Sequence, residues 1–352
     1  GTCLLWAMRQ PMPRWQLPVT LGLLFLTLGA GYWQSAATTT RWHAQRGGMT
    51  FALIQPSLVR DLTPQALVDG ISDAEILRRQ RTLIALSRRS VALPDAYRDG
   101  APLILWPESA LPDPPSFSPD VMSMSRTLQS NVLIGAVAYL PPTFDRPRNS
   151  AFLLGPQGFE LGRYDKIHLV PFGEFVPLRR GVNWLREQHI VPDVRENDMA
   201  PGDAWTPLTV NNYRIGVGIC FESTVSAIAR CYARQHVQYL VYLTNDAWLH
   251  RTSAVQQHFN HARFRALETG LPVARVASTG ISGAIAPDGR SVCEIPTYAM
   301  DTRTVHLAPG APGTVYTCVG WLFGPFCLLA SLLLLAWELC RSRQKSSRNS
   351  TS

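Results

Sequence analysis

The chain has 352 residues, 46% of them hydrophobic, and a formal net charge of +8 at pH 7. That length accommodates one large domain with membrane segments, or two domains. The basic balance suits an anionic lipid surface rather than nucleic acid, because no Lys/Arg run is interleaved with aromatics, and seven cysteines without a C-x-x-C pair leave out the common zinc and thioredoxin-type motifs.

The chain opens on Gly1 rather than methionine, as a fragment or a processed product would, and residues 1–14 read as a cytoplasmic segment or the tail of an earlier span. No charge occurs between Arg14 and Arg41, and Leu17–Trp33 is mostly apolar. Residues 15–37 are therefore predicted to be a transmembrane helix, since a span takes about 17–25 apolar residues. Trp15, Tyr32 and Trp33 flank it as interfacial residues do. The competing reading is a signal peptide, but the apolar run is long for one and no small-x-small cleavage site stands out.

Residues 48–310 alternate strand and helix patterns. Met49–Ile54 predicts a strand, Thr63–Leu93 a long amphipathic helical region marked by Leu67, Ile71, Ile76, Leu83 and Leu86, and Pro102–Trp106 a second strand. Asn131–Tyr139 and Ser150–Leu154 read as adjacent strands, and Leu161–Leu169 as another. Tyr213–Cys220 and Tyr239–Thr244 read as buried strands, with a helix over Thr224–Gln235 between them. Ser253–Thr269 is a predicted helix with Phe259, Ala262, Ala266 and Leu267 on its apolar face. Val273–Ser278 and Gly283–Ala286 follow as strands, before a turn at Pro287–Gly289. Residues 318–338 form a second predicted span, bounded by Trp321 and Trp337. Arg341, Arg343, Lys345 and Arg348 make 339–352 a basic tail, cytoplasmic by the positive-inside rule, so the α/β unit between the spans is expected outside the cytoplasm.

Three residues carry the candidate chemistry. Cys220 ends the glycine-rich strand Gly216–Ile219 and precedes a helix, whose positive end would favour a thiolate. Glu108 lies just past a strand end, where ligands collect in open α/β folds. Beside Trp106 and prolines its carboxylate is expected to be desolvated and useful as a base. Lys166 stands among Ile167, Leu169, Val170, Phe172 and Phe175, where a fixed charge can stabilise an oxyanion, and Glu174 is placed to orient it or a substrate amine. The competing readings are a buried apolar cysteine, a solvated glutamate and a snorkelling lysine. Gly280–Gly283 is not a G-x-S-x-G elbow, which argues against a serine triad. His258 and His261, three apart on a helix, are expected to be a solvated or packed pair rather than metal-bound, for want of a third ligand. Cys231 and Cys293 could pair in an oxidising compartment.

Glu108, Lys166 and Cys220, in that order and context, resemble the nitrilase (carbon–nitrogen hydrolase) superfamily, and within it the apolipoprotein N-acyltransferase family. The resemblance runs from about Phe51 to Pro309, strongest in Tyr164–Pro177, Leu243–Trp248 and Gln257–Glu268. It implies an α-β-β-α sandwich flanked by transmembrane helices, in the bacterial inner membrane with the catalytic domain on the periplasmic side. It implies Glu108 as general base, Lys166 as oxyanion stabiliser and Cys220 as acylated nucleophile. Glu174 and Glu222 support them, and Trp106, Phe172, Phe175, Phe221, Asn245 and Trp248 contact substrate. The partners are a phospholipid acyl donor, a diacylglyceryl apolipoprotein acceptor and the membrane; no metal or dissociable cofactor is implied. Phe221 departs from the family, which often has a hydroxylated aromatic there. An expected acidic residue is missing between Gly320 and Trp321, and one span precedes the domain where the family has several. A tethered amidase or nitrilase using water, and a non-catalytic nitrilase-like membrane component of a conjugal-transfer system, are the alternative readings.

Overall fold

A computed structural model describes residues 16–58, 72–93, 96–139, 146–187 and 198–349. Its strands are β1 Met49–Gln55, β2 Leu103–Leu105, β3 Asn131–Ala138, β4 Arg148–Leu154, β5 Glu160–Asp165, β6 Leu208–Val210, β7 Tyr213–Ile219, β8 Tyr239–Thr244, β9 Val273–Ala277, β10 Ser282–Ile285, β11 Ser291–Ile295 and β12 Asp301–Leu307. Its helices are α1 Gln16–His43, α2 Asp73–Val91, α3 Pro119–Leu128, α4 Arg179–Glu187, α5 Ser226–Arg234, α6 Ser253–Thr269, α7 Val315–Val319 and α8 Phe323–Asn349.

The strands form two six-stranded sheets, ordered β12-β1-β2-β3-β4-β5 and β11-β10-β9-β8-β7-β6. β1, β2 and β3 run parallel, as do β7, β8 and β9, with antiparallel strands outside them. Side chains alternate faces along a strand, and the alternation sets the layers. Phe51, Leu53, Leu105 and Leu133 of the first sheet share one core with Val217, Ile219, Val241 and Val276 of the second. The opposite face of the first sheet, Ile54, Ile104, Trp106 and Ile134, packs on Leu83 and Leu86 of α2 and Met124 of α3. The outer face of the second, Leu240, Tyr242 and Val273, packs on Ile228 of α5 and Phe259 and Ala262 of α6. The result is the expected α-β-β-α sandwich, in which each fully buried Leu, Ile or Phe contributes about 1.5–3 kcal/mol of burial.

Several expected boundaries move. The strand predicted over Leu161–Leu169 stops at Asp165, because the Ile167 and His168 N–H groups donate to the Glu222 carboxylate instead of a ladder partner. α2 starts at Asp73, where Ser72 Oγ caps the Glu75 N–H; residues 63–71 of that predicted helix lie outside the described residues. The helix expected from Thr224 is a 3-10 turn over Cys220–Thr224 followed by α5. Leu267, expected on the apolar face of α6, is 37% exposed. Strands β6, β11 and β12 and helices α3 and α4 are elements that the sequence reading did not contain.

The segments predicted to span a bilayer are helical in α1 and α8, though the second is broken at Gly320, where a Cβ would lie 2.1 Å from the Tyr316 ring. Among the described residues no helix is long and apolar enough to cross a membrane. Both helices nevertheless expose apolar side chains, with Phe25 and Trp33 each 71% exposed and Phe326 68%. α1 is stapled to one edge of the sandwich, where Trp42 Nε1–H donates to Ala308 O at 2.9 Å, and α7 is stapled to α1, the Val315 N–H donating to Gln34 Oε1 at 3.2 Å. Residues 1–15 lie outside the described residues.

Candidate active site

The ends of β2, β5, β7 and β8 converge on a cavity of about 720 Å³, within the range of small-molecule sites. Glu108 reaches it from a turn after β2 that grips β3: the Trp106 N–H donates to Leu133 O at 2.9 Å and the Ala110 N–H to Gly135 O at 2.8 Å. The grip needs a glycine at 135, since a Cβ there would lie 2.3 Å from Pro107 O and 2.6 Å from Glu108 Cα. Buried at 7% exposure, the Glu108 carboxylate accepts from Asn149 Nδ2 at 2.7 Å and the Asn245 N–H at 2.8 Å, with Lys166 Nζ at 3.5 Å.

Lys166 leaves the end of β5 and is 1% exposed. Its ammonium lies 3.0 Å from the Glu174 carboxylate, which also accepts from Asn149 Nδ2 at 2.8 Å and the Val170 N–H at 2.9 Å. Burial alone would push the ammonium down, but the carboxylates of Glu108 and Glu174, with the Cys220 sulfur, outweigh it and hold Lys166 above the ordinary lysine range. Lys166 is therefore a fixed cation.

Cys220 follows β7 with φ of +52°, a left-handed conformation that costs a non-glycine residue about 1–3 kcal/mol and is met mostly where function needs it. Cys220 lines the same cavity as Glu108 and Lys166, whose charges act on its sulfur. Burial pushes its pKa far up, the Glu108 carboxylate adds to the rise, and Lys166 opposes it. The expected thiolate-favouring helix end is absent: a five-residue 3-10 turn starts at the cysteine itself, and desolvation wins. Such a thiol needs a base to become a nucleophile.

Glu222 lies behind the elbow, not in the cavity. Its Oε1 accepts from Tyr164 Oη at 2.8 Å, the Ile167 N–H at 2.9 Å and the His168 N–H at 3.1 Å, and its Oε2 from the Ile219 N–H at 2.8 Å. One carboxylate thus ties the lysine loop to the strand that leads into Cys220. Asn245, Trp248 and Phe221 line the cavity as expected for contact residues. Trp106 does not: fully buried, it packs under α2 and donates from Nε1 to Ser87 Oγ at 2.9 Å, because strand alternation turns it to the helix side. Phe172 and Phe175 are also absent from the lining, where their loop contributes Val170, Pro171, Gly173 and Glu174. Phe172 is 64% exposed, turned outward by a φ of +62°. Cys231 and Cys293 are both free.

Sequence reasoning missed Asn149, which bridges Glu108 and Glu174, and the cluster of Asp246, His258 and Arg275 beside Cys220. No sequence signal unites the latter three, which come from a turn, a helix and a strand. His258 is packed, as expected, and among the described residues no group of three side chains is arranged for a metal.

The chain matches the Carbon-nitrogen hydrolase family over residues 72–312. It is similar to the apolipoprotein N-acyltransferase of Geobacter metallireducens, 30% identical over 340 residues that cover 93% of this chain and 60% of that protein. The apolipoprotein N-acyltransferase of Methylococcus capsulatus is 34% identical over 223 residues, 62% of this chain and 43% of that protein. The chain thus spans less than two thirds of either relative. A solved Saccharomyces cerevisiae member of the nitrilase superfamily is similar in fold, with a TM-score of 0.53, 18% identity and coverage of 75% of this chain and 92% of that one.

Proposed function

The chain belongs to the carbon–nitrogen hydrolase family, and from that premise we propose that it works as a membrane-held N-acyltransferase. Cys220 takes an acyl chain from a phospholipid and passes it to the α-amine of a diacylglyceryl-cysteine at a lipoprotein N-terminus. The observation that carries this reading is the meeting of Glu108, Lys166 and Cys220 at one cavity. Glu108 takes the thiol proton and the sulfur attacks the ester carbonyl carbon. The negative charge that develops on the carbonyl oxygen faces Lys166, whose charge and position are fixed before the reaction. The carbon–oxygen ester bond breaks, Glu108 returns the proton to the leaving alkoxide, and a lysophospholipid departs from a thioester. The acceptor amine then attacks that thioester, loses its proton to Glu108, and leaves as an amide with Cys220 restored as a thiol.

Three facts favour a lipid donor. The cavity holds a ligand of drug-like size or a length of acyl chain. Trp248 and Phe221 give it an apolar mouth, 59% and 40% exposed. The relatives named above are apolipoprotein N-acyltransferases. In this reading α1 and α8 hold the sandwich to the inner membrane, with lipid around their exposed Phe25, Trp33 and Phe326, residues 48–310 on the periplasmic side and residues 339–352 in the cytoplasm. Glu174 and Glu222 keep Lys166 and the elbow in place.

The test is acyl capture without acceptor. Detergent-solubilised protein incubated with a phospholipid carrying a labelled acyl chain should retain the label as a hydroxylamine-sensitive thioester, absent in Cys220→Ala. A diacylglyceryl-cysteine peptide should discharge it to an amide. Discharge by water alone would make the protein an amidase-like hydrolase, and no captured label would refute acyl transfer.

A further inference from the structure

The Cys220 carbonyl oxygen receives two side chains. Ser223 Oγ donates to it at 2.9 Å, and His258 Nε2 lies 3.1 Å from it. A carbonyl oxygen only accepts, so the His258 proton on that side sits on Nε2. The imidazole is itself held. Its Nδ1 lies 2.9 Å from Asp246 Oδ1, and Asp246 Oδ2 accepts from Arg275 at 2.8 Å. Asp246 and Arg275 have fully buried side chains, and Arg275 also reaches Thr244 Oγ1 at 3.2 Å. The carboxylate has no freedom to retreat: a Cβ at Gly280 would lie 1.9 Å from Asp246 Oδ2, so this geometry requires glycine at 280.

Such a construction is more than a structural cysteine needs. In a trans peptide the N–H points opposite the C=O. Fixing Cys220 O therefore fixes the direction of the Phe221 N–H, which leaves the elbow on the side away from His258. The residue before Asp246 is tied to the other catalytic group: the Asn245 N–H donates to Glu108 Oε2 at 2.8 Å. One turn after β8 thus holds the proposed base through a peptide N–H and the nucleophile's peptide through Asp246 and His258.

We propose that His258, clamped by Asp246 and Arg275, is a positioning residue that locks the Cys220–Phe221 peptide so that its N–H serves beside Lys166 as an oxyanion donor. The inference rests on the acyl-transfer reading above. Without His258 the peptide at φ of +52° is held by the Ser223 hydroxyl alone, and the donor is aimed less tightly where charge develops. Misalignment of one donor by about 1 Å is worth up to about 100-fold in rate.

The experiment sets two reactions of the same sulfur against each other. Acylation by a p-nitrophenyl acyl ester passes through an oxyanion, whereas alkylation by iodoacetamide displaces iodide at a saturated carbon and needs none. In the full chain, His258→Ala should lower kcat for ester acylation by about 10- to 100-fold with KM little changed. Its alkylation rate at matched pH should stay within about threefold. His258→Gln, which keeps an N–H donor, should recover part of the lost acylation. If acylation and alkylation fall together, His258 merely supports the elbow and the proposal fails. It fails equally if His258→Ala acylates at the wild-type rate. A wild-type chain that takes no acyl group from the ester refutes the acyl-transfer reading itself, a result distinct from either.

Discussion

Glu108 and Glu222 each sit just past a strand end, one in each sheet, and both are buried. Their surroundings differ in kind. Three of the four donors on Glu222 are backbone N–H groups, from Ile167, His168 and Ile219, and it has no opening to the cavity. Glu108 has one backbone donor, is otherwise held by the side chains of Asn149 and Lys166, and faces the cavity. A carboxylate caught by backbone amides belongs to the fold, since its loss orphans groups that cannot move away. A carboxylate held by side chains at a cavity wall can exchange a proton while its neighbours adjust.

The sharpest way to break that contrast is to neutralise each. Glu108→Gln should lower acyl capture by about 10²–10⁴-fold while leaving the melting temperature within a few degrees of wild type. Glu222→Gln brings an NH2 group against N–H donors, and each donor left unpaired costs about 1–3 kcal/mol, so its urea midpoint should fall clearly. Equal stability in the two variants would erase the distinction drawn here.

Next in size is the effect of charge on the thiol. Glu108 raises the Cys220 pKa and Lys166 lowers it. Alkylation of Cys220 should thus move to lower pH in Glu108→Gln and to higher pH in Lys166→Met, although both lose acylation, the lysine variant by about 10²–10³-fold. Shifts of the same sign would show that the two charges do not act on the sulfur as the geometry demands.

The smallest effect separates the cavity wall from the scaffold. Burial, then the charges of Arg265, His258 and Arg275, hold His261 below the ordinary histidine pKa. A histidine with a lowered folded-state pKa contributes stability that is present above its unfolded value and lost as pH falls through the folded one. Between about pH 7.5 and 5 the wild type should therefore lose about 1–2 °C more in Tm than His261→Gln. A larger acid loss in the variant would reverse the assignment.

Much of this was legible along the chain. Met49–Gln55 and Tyr239–Thr244 announce themselves because every residue in them is buried, and continuous apolar runs mark such strands. Glu108, Lys166 and Cys220 were found because each stands in an apolar context at a strand end. β12 was invisible because it is half exposed at a sheet edge, and its sequence DTRTVHL reads as a polar loop. The signal for α3 was present in Ser118-Pro119-Asp120, with proline at the first helical position, and went unread. Trp106, a substrate contact by the resemblance, turns to the helix side instead, because strand alternation sets which face a side chain takes. Asn149 and the Asp246–His258–Arg275 cluster act through contacts 12 to 41 residues apart, which only the folded chain brings together.

The pairing of β1 with β12 has a mechanical consequence. Met49 stands opposite Leu307, Gln55 opposite Asp301, and the chain enters and leaves the sandwich at the Met49–Leu307 end. Tension applied through α1 and α8 would pull these antiparallel strands apart from that end, loading their hydrogen bonds one after another rather than together. Force applied along the two segments that enter and leave the sandwich at that end therefore meets these pairs in succession. Trp42, whose indole N–H crosses to Ala308 O just beyond the last pair, closes that end of the zipper.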